Sequence, residues 1–334
     1  MPDASRRPRP LRRRLIGALG AALALPRLAL AQAAEPRQVA VLFAGDPEAD
    51  ERAAQPFFDE MRRLGWTEGR NVAYQRLSGK GIRVYVDELA RMAADDAPDL
   101  IYVTTASAAM AVLRATDTVP VVFSAATDPV EAGLVASLAR PGRNATGAFH
   151  LPEEAVPRRF ELIRAAMPEL KRIGAVFDRT SATSARQKQA FAAGARGAGL
   201  ELLAEDFTNF EAVPKILARW RRAGVHAAAL PVSFTLYARR QDAVSAATRN
   251  RVALFGHRVE WAEAGAVLTY GAQVSQILRR SAALADRILR GAPAATLPVQ
   301  KITRFELALN RGSALALGIG LPRALVEQAD RVFA

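Results

Sequence analysis

The residues of this chain best placed to do chemistry are hydroxyls and carboxylates that directly follow short apolar runs. Gly45 and Asp46 follow residues 39–43, Thr104, Thr105 and Ser107 follow 100–103, and Thr127 and Asp128 follow 119–123. Further along, Asp178 and Thr180 follow 173–177, Ser233 and Phe234 follow 227–230, Glu260 follows 252–255, and Tyr270 ends the run 267–270. In open α/β sheets ligands sit beyond the carboxyl ends of strands, where helix N-termini present unbonded N–H groups. Thr104, Thr105 and Ser107 then offer hydroxyls and amides to a carboxylate, and Thr127 and Asp128 begin the next helix. Asp128 can accept from an ammonium, which would complete a clamp for a zwitterion. The plainer reading is that Asp128 and Ser107 cap their helices, and the two roles can coexist. Phe234 or Tyr237 can stack on an aromatic ligand or pack at a rim. Tyr270 is either a ligand contact or a structural residue of a hinge. Gly45 permits close backbone approach.

Other chemistry is excluded or disfavoured by what the chain lacks. It has no cysteine, so thiolate metal sites, thiol nucleophiles and disulfides are absent. Its three histidines, His150, His226 and His257, are too scattered for a metal cluster, and none stands in a nucleophile context. His257 beside Glu260 and Glu263 reads as the start of a surface helix. The glycine-rich stretch 194–199 falls where a helix should stop, which argues against a phosphate loop. Arginines 219, 221 and 222 around Trp220 read as the solvated end of a helix and not as a nucleic-acid patch. Asn144-Ala145-Thr146 fits a glycosylation acceptor, with nothing further to support it. No catalytic residue, metal or cofactor is expected.

The elements that must position these residues come from two runs of alternating strand and helix patterns. Four β-α units fill residues 39 to about 129, and the same alternation restarts near 158. A mixed tail follows: a strand at 267–270, a helix at 274–289, an extended stretch at 298–303, a short amphipathic piece at 305–311 and a last helix near Pro322. The fold class is therefore α/β, with two Rossmann-like lobes of parallel strands joined by a multi-segment hinge. Lobe 1 is expected to hold residues 38–148 plus about 271–292, and lobe 2 residues 149–270 plus about 293–334. A chain that crosses more than once between two lobes makes a hinge that can close over a ligand.

Residues 1–31 read as a signal peptide: seven arginines and one aspartate, an apolar run at 15–25, and a small-x-small cleavage site at 29–31. Pro26 and Arg27 break the run before it could span a bilayer. The arginines at 12–14 match a twin-arginine signal in part, and Sec export fits equally. This segment carries +6 of the formal net charge of +13, leaving +7 spread along the remainder without a basic tract. Without a cysteine no lipid anchor forms after cleavage, so a periplasmic product starting near Gln32 is expected.

Several stretches carry a resemblance: 58–72 (FDEMRRLGWTEGRNV), 118–123 (TVPVVF), 128–147 (DPVEAGLVASLARPGRNATG), Tyr270-Gly271, 288–293 (ILRGAP), 297–300 (LPVQ), 305–307 (FEL) and 315–319 (LALGI). In this order they resemble the ABC-transporter substrate-binding proteins of the tryptophan/tyrosine type, relatives of the type I periplasmic binding proteins. The resemblance implies two Rossmann-like lobes, a three-segment hinge and a ligand in the cleft between the lobes. It also implies an ABC permease and ATPase as partners, a small ligand such as an amino acid, a monomer, and no role in nucleic-acid binding. Two loops depart from the family pattern: Asp178-Arg179-Thr180 stands where relatives often carry Asn-Pro, and Thr104-Thr105 lacks a preceding glycine. The ligand can therefore differ from that of the best-known members. A sensory receptor signalling to a membrane partner and an exported α/β enzyme remain as alternatives. The enzyme reading is weakened because neither Asp128 nor Glu260 has an evident catalytic partner.

Overall fold

The computed structural model describes residues 35–80, 82–181 and 183–334. The segment read as a signal peptide lies outside them.

Lobe 1 opens with β1 (Arg37–Phe43), α1 (Pro47–Arg63), β2 (Val72–Ser78), α2 (Arg83–Asp95), β3 (Leu100–Val103), α3 (Ala106–Ala115), β4 (Val121–Ala125) and β5 (Ala145–Phe149). The chain then crosses to lobe 2 through a 3-10 turn at Pro152–Ala155. There it forms α4 (Val156–Ala166), β6 (Arg172–Asp178), α5 (Ser184–Gly197), β7 (Glu201–Phe207), α6 (Ala212–Arg222) and β8 (Ala227–Ala229). Next come α7 (Phe234–Ala238), α8 (Arg240–Arg249), β9 (Ala253–Gly256), α9 (Val259–Ala264) and β10 (Leu268–Ala272). A second crossing leads to α10 (Val274–Leu289) and β11 (Gln300–Lys301), and a third to β12 (Phe305–Asn310), α11 (Arg311–Ala316), α12 (Arg323–Glu327) and β13 (Arg331–Phe333).

One sheet runs β11-β5-β4-β3-β1-β2 with all pairs parallel, and the other runs β13-β12-β10-β9-β8-β6-β7. In the second, only β10 and β12 pair antiparallel. The continuous apolar runs of β1, β3 and β4 follow from burial on both sheet faces, since helices cover each. In lobe 1, α1 and α10 pack on one face, and α2 and α3 on the other. The long-range tie between α1 and α10 is polar as well: Trp66 Nε1 donates to Asp286 at 2.9 Å, and Arg290 donates to the Leu64 carbonyl at 3.0 Å. Beneath α10, the buried hydroxyls of Tyr102, Ser124 and Ser281 form a chain at 2.9 Å per link, which Ser281 ends by donating to the Phe123 carbonyl. In lobe 2, α4 and α5 cover one face, and α6, α8 and α9 the other, around the buried rings of Trp220 and Trp261.

The lobe limits differ from the sequence expectation at several places: Phe149, expected in lobe 2, ends β5 of lobe 1, and Gly271 and Ala272, expected in lobe 1, end β10 of lobe 2. Residues 293–301, expected in lobe 2, belong to lobe 1, where Gln300 pairs with Ala148 and Leu297 joins the core under α10. The short amphipathic piece near 305 is a strand, β12. Two strands, β5 and β13, were not anticipated. Small residues in Ala145-Thr146-Gly147 hide β5 from a hydrophobic pattern, yet Gly147 lets the Phe123 ring lie against the strand: a Cβ there would meet the ring at 2.4 Å. The helix expected to begin at Thr127 and Asp128 is a turn.

Candidate functional site

The order of each sheet reverses once: between β1 and β3 in lobe 1, and between β6 and β8 in lobe 2. At such reversals the loops leave on opposite faces and open a crevice at the carboxyl edge of the sheet. The polar residues that follow β1, β3, β4, β6, β8 and β9 fall at these edges, whereas Tyr270 lies within β10. Two contacts bring the edges together. Arg186 at the start of α5 pairs with Glu131, in the loop after β4, at 2.8 Å. His150, just beyond β5, lies within electrostatic reach of Arg258, just beyond β9.

In lobe 1, the Gly45 N–H donates to Asp50 Oδ2 at 2.8 Å and its carbonyl accepts from Ser78 Oγ at 2.7 Å, which fixes the first loop to the end of β2. Burial raises the Asp50 pKa, partly offset by the Gly45 hydrogen bond. Asp46 is exposed beside it. Thr105 caps α3, its Oγ1 accepting from the Ala108 N–H at 3.2 Å and lying 3.2 Å from Ser107 Oγ. Ser107 is exposed and Thr104 partly so. Asp128 Oδ1 accepts from the Val130 and Glu131 N–H groups at 2.8 and 3.2 Å, holding the turn; Thr127 stands half-buried before it.

In lobe 2, Asp178 is 5% exposed and joins the two loops of the crevice. Its Oδ1 accepts from Thr180 N–H at 3.0 Å and Oγ1 at 2.6 Å, and its Oδ2 accepts from Ser233 Oγ at 2.9 Å. Burial pushes this carboxyl up, but the hydrogen bonds from Thr180 and Ser233 outweigh it and hold the pKa below the usual value. Ser233 also caps α7 through the Leu236 N–H, and Phe234 is the first residue of that helix. These bonds occupy Asp178 and Ser233 within the protein. Thr180 stays exposed, though its hydroxyl is engaged.

Glu260 forms a two-pronged pair with Arg258, at 2.8 and 3.2 Å. Burial opposes ionisation of Glu260, and the Arg258 charge and hydrogen bond overcome it, so its pKa is lowered. The Arg258 guanidinium also lies over the Tyr237 ring at 4.3 Å, and Arg240 over the same ring at 4.9 Å. Tyr237 is thus held against two cations, contacts favoured by the negative face of the ring. Tyr270 packs against Phe305 with centroids 5.6 Å apart, and its carbonyl accepts from Arg159 Nε at 2.8 Å, as befits a residue of the crossover strand.

Three residues at this edge escaped sequence reasoning. Arg159 on α4 is 1% exposed, and His257 is 6% exposed, so the expected surface setting of His257 is wrong. His150 is partly buried, and the Nδ1 atoms of both histidines are enclosed without a hydrogen-bond partner. Burial and the Arg258 charge push His150 down to about 4, with partial compensation from the Ala125 carbonyl. Burial and the charge of Arg159, then of Arg258, push His257 well below its ordinary value. Burial lowers Arg159 to about 9, which leaves it charged at neutral pH. No periodicity marks the two histidines, and an arginine on a helix is ordinarily solvated.

Among the described residues no group of three or more His, Cys, Asp or Glu is arranged to hold a metal, and no helix is long and apolar enough to cross a membrane. A cavity of about 750 Å³ lies at the opposite, amino edge of the lobe 2 sheet, lined by Lys171, Arg172, Arg221, His226 and Arg251, and is separate from the cleft.

Two α/β lobes crossed three times by the chain, with polar loops gathered where the sheets' carboxyl edges meet, define a bilobal solute-binding protein. The chain belongs to the ABC transporter substrate binding protein family, whose model matches residues 38–333. It is similar, at 22% identity over 267 residues, to a tyrosine-binding protein of Clostridioides difficile (strain R20291), covering 80% of this chain and 76% of that one. Among solved structures it resembles a conserved domain protein from Vibrio cholerae O1 biovar eltor, with a TM-score of 0.80, 26% identity, and coverage of 89% of this chain and 100% of that one. It also resembles an ABC domain in complex with L-Trp from Streptococcus pneumonia, with a TM-score of 0.78, 22% identity and the same coverage. The family is one of substrate-binding proteins, and the chain is one of that kind.

Proposed function

We propose that the chain is the exported, periplasmic, monomeric receptor of an ABC import system, and that it captures a small amino acid, an aromatic one first, by closure of its two lobes. The observation that carries this reading is the meeting of the two carboxyl edges, with polar crevice loops on both sides and the Arg186–Glu131 pair spanning them. Thr104, Thr105, Ser107, Thr127 and Asp128 present hydroxyls and a carboxylate from lobe 1. On this reading Thr180, Tyr237, Glu260 and Tyr270 contribute from lobe 2, and Gly45, Asp46, Asp178, Ser233 and Phe234 belong to the loops that frame the site. The tyrosine-binding relative and the L-Trp complex support an aromatic amino acid as the first candidate. A leader at 1–31 and partnership with a permease and an ATPase accord with that role.

Thermal unfolding against a panel of amino acids, small carboxylates, nucleosides and sugars tests the proposal. A ligand that binds only the folded form stabilises it by about 2.7 kcal/mol at a hundredfold excess over Kd. A rise in Tm with tyrosine or tryptophan is expected; no rise with any amino acid would sink the ligand assignment.

A further inference from the structure

Arg159 presents an imbalance that the fold does not resolve. A guanidinium carries five N–H donors. In Arg159, 1% exposed, one of them bonds, to the Tyr270 carbonyl. The Phe191 ring lies 5.9 Å away and takes one face. No carboxylate among the described residues pairs with it, and burial is the whole cause of its lowered pKa. A buried charge without a partner is costly, and its removal or neutralisation is what structures ordinarily arrange. His257 lies within electrostatic reach of it and His150 within reach of His257, and the enclosed Nδ1 atoms of both imidazoles also lack partners. These three groups come from three different segments: the crossing after β5, the first half of α4, and the end of β9.

The surrounding charges fix what is missing. Arg258 is neutralised by Glu260, and Arg186 by Glu131, so neither needs a further anion. Arg159 is left as one uncompensated positive charge, and the histidine within its reach, His257, is neutral at pH 7. One negative charge on a small planar acceptor balances it, and a carboxylate matches the guanidinium fork with two parallel hydrogen bonds. Two acidic groups of lobe 2 able to receive an ammonium are already occupied: Asp178 by Thr180 and Ser233, and Glu260 by Arg258.

We propose that Arg159, with His257 and then His150 beyond it, is the seat of the solute's carboxylate at the hinge side of the cleft, and that this carboxylate, not an ammonium, is the group the site requires. The proposal rests on the solute-receptor reading and deepens it. It moves the anion contact away from Thr105 and Ser107, and it admits carboxylic acids that have no amino group.

With only three histidines in the chain, 15N-histidine NMR of the protein reads the site directly. His226, in contact with Arg221 at the far end of lobe 2, serves as the internal control. The probes are benzoate, its neutral isostere benzamide, and benzylamine, each at millimolar concentration. Benzoate is expected to move the His150 and His257 imidazole resonances and leave His226 in place, while benzamide and benzylamine move none. Arg159→Met should abolish the benzoate response. Arg159→Lys, which keeps the charge but loses the fork, should weaken it by roughly tenfold; the Tm of each variant reports whether it folds. Equal responses to benzoate and benzamide would mean a polar, water-filled pocket and overturn the proposal. So would a benzoate response unchanged in a folded Arg159 variant, or no response at either histidine. A panel amino acid that raises Tm without moving His150 or His257 would keep the receptor reading and sink the seat. A benzoate response without any amino-acid binder would do the reverse.

Discussion

At the scale of single residues, the cleft separates side chains that hold the loops from side chains still able to meet a solute. Asp178 accepts three hydrogen bonds from within the protein, and Ser233 has no second use for its proton. Asp178→Ala leaves the buried Ser233 hydroxyl without its acceptor, and should cost about 2 kcal/mol of stability in a denaturant titration. Titration gives a second prediction. His150 and His257 are held neutral in the folded protein, with His150 at about 4 against 6.5 in the unfolded chain. A base with a depressed folded pKa binds fewer protons folded than unfolded between those values, so stability rises with pH through that window and falls on acidification. His150 should therefore cost the protein on the order of 1–2 kcal/mol between pH 7 and pH 5, and His150→Gln should flatten the Tm profile across that range. An equally steep profile in the variant would exclude His150 as its source.

At the scale of elements, close approach decides which glycines matter. At Gly271 in β10, a Cβ would stand 1.9 Å from the His257 carbonyl oxygen, which is backbone and cannot step aside. Gly271→Ala should push β10 from the end of β9 and cost several kcal/mol or prevent folding. Gly197, the last residue of α5, has open space around it, and Gly197→Ala should add about 0.5 kcal/mol, since alanine loses less backbone freedom in a helix. Comparative chemical denaturation of the two variants tests the contrast. The same scale explains what the sequence made legible. Helices α1, α6 and α10 carry strong apolar stripes, and Gly199 follows α5 with positive φ, at the helix stop its position suggested. The sequence leaves β12 open between helix and strand because its six residues, FELALN, fit a helical period as well as a strand one, and only pairing with β10 decides between them.

At the scale of the molecule, three crossings join the lobes, and the one ion pair described between the facing loops of β4 and α5 is Arg186–Glu131. Both side chains are about half exposed, 48% and 63%, so the pair is worth little in isolation. Arg186→Ala should leave Tm within a degree or two and weaken solute affinity by no more than a few-fold, measured by calorimetric titration. A loss of a hundredfold would mean that Arg186 contacts the solute itself.

The amino-acid sequence by itself determined the two α/β lobes, the family, and the loops at which polar residues gather, because strand and helix periods and turn residues are local properties. It also marked the strand ends, and so named Thr105, Asp128 and Asp178 as residues of the cleft loops. Which of these remain free for a solute was decided only by tertiary structure, since Asp178 meets Ser233 across 55 positions of chain. The same holds for lobe membership of residues 293–301, fixed by pairing of β11 with β5. It holds most of all for Arg159, whose helical position resembles any surface arginine. Its burial beside His257 and Tyr270, and the unbalanced charge that results, arise from the packing of α4 against β9 and β10, contacts that no local pattern encodes.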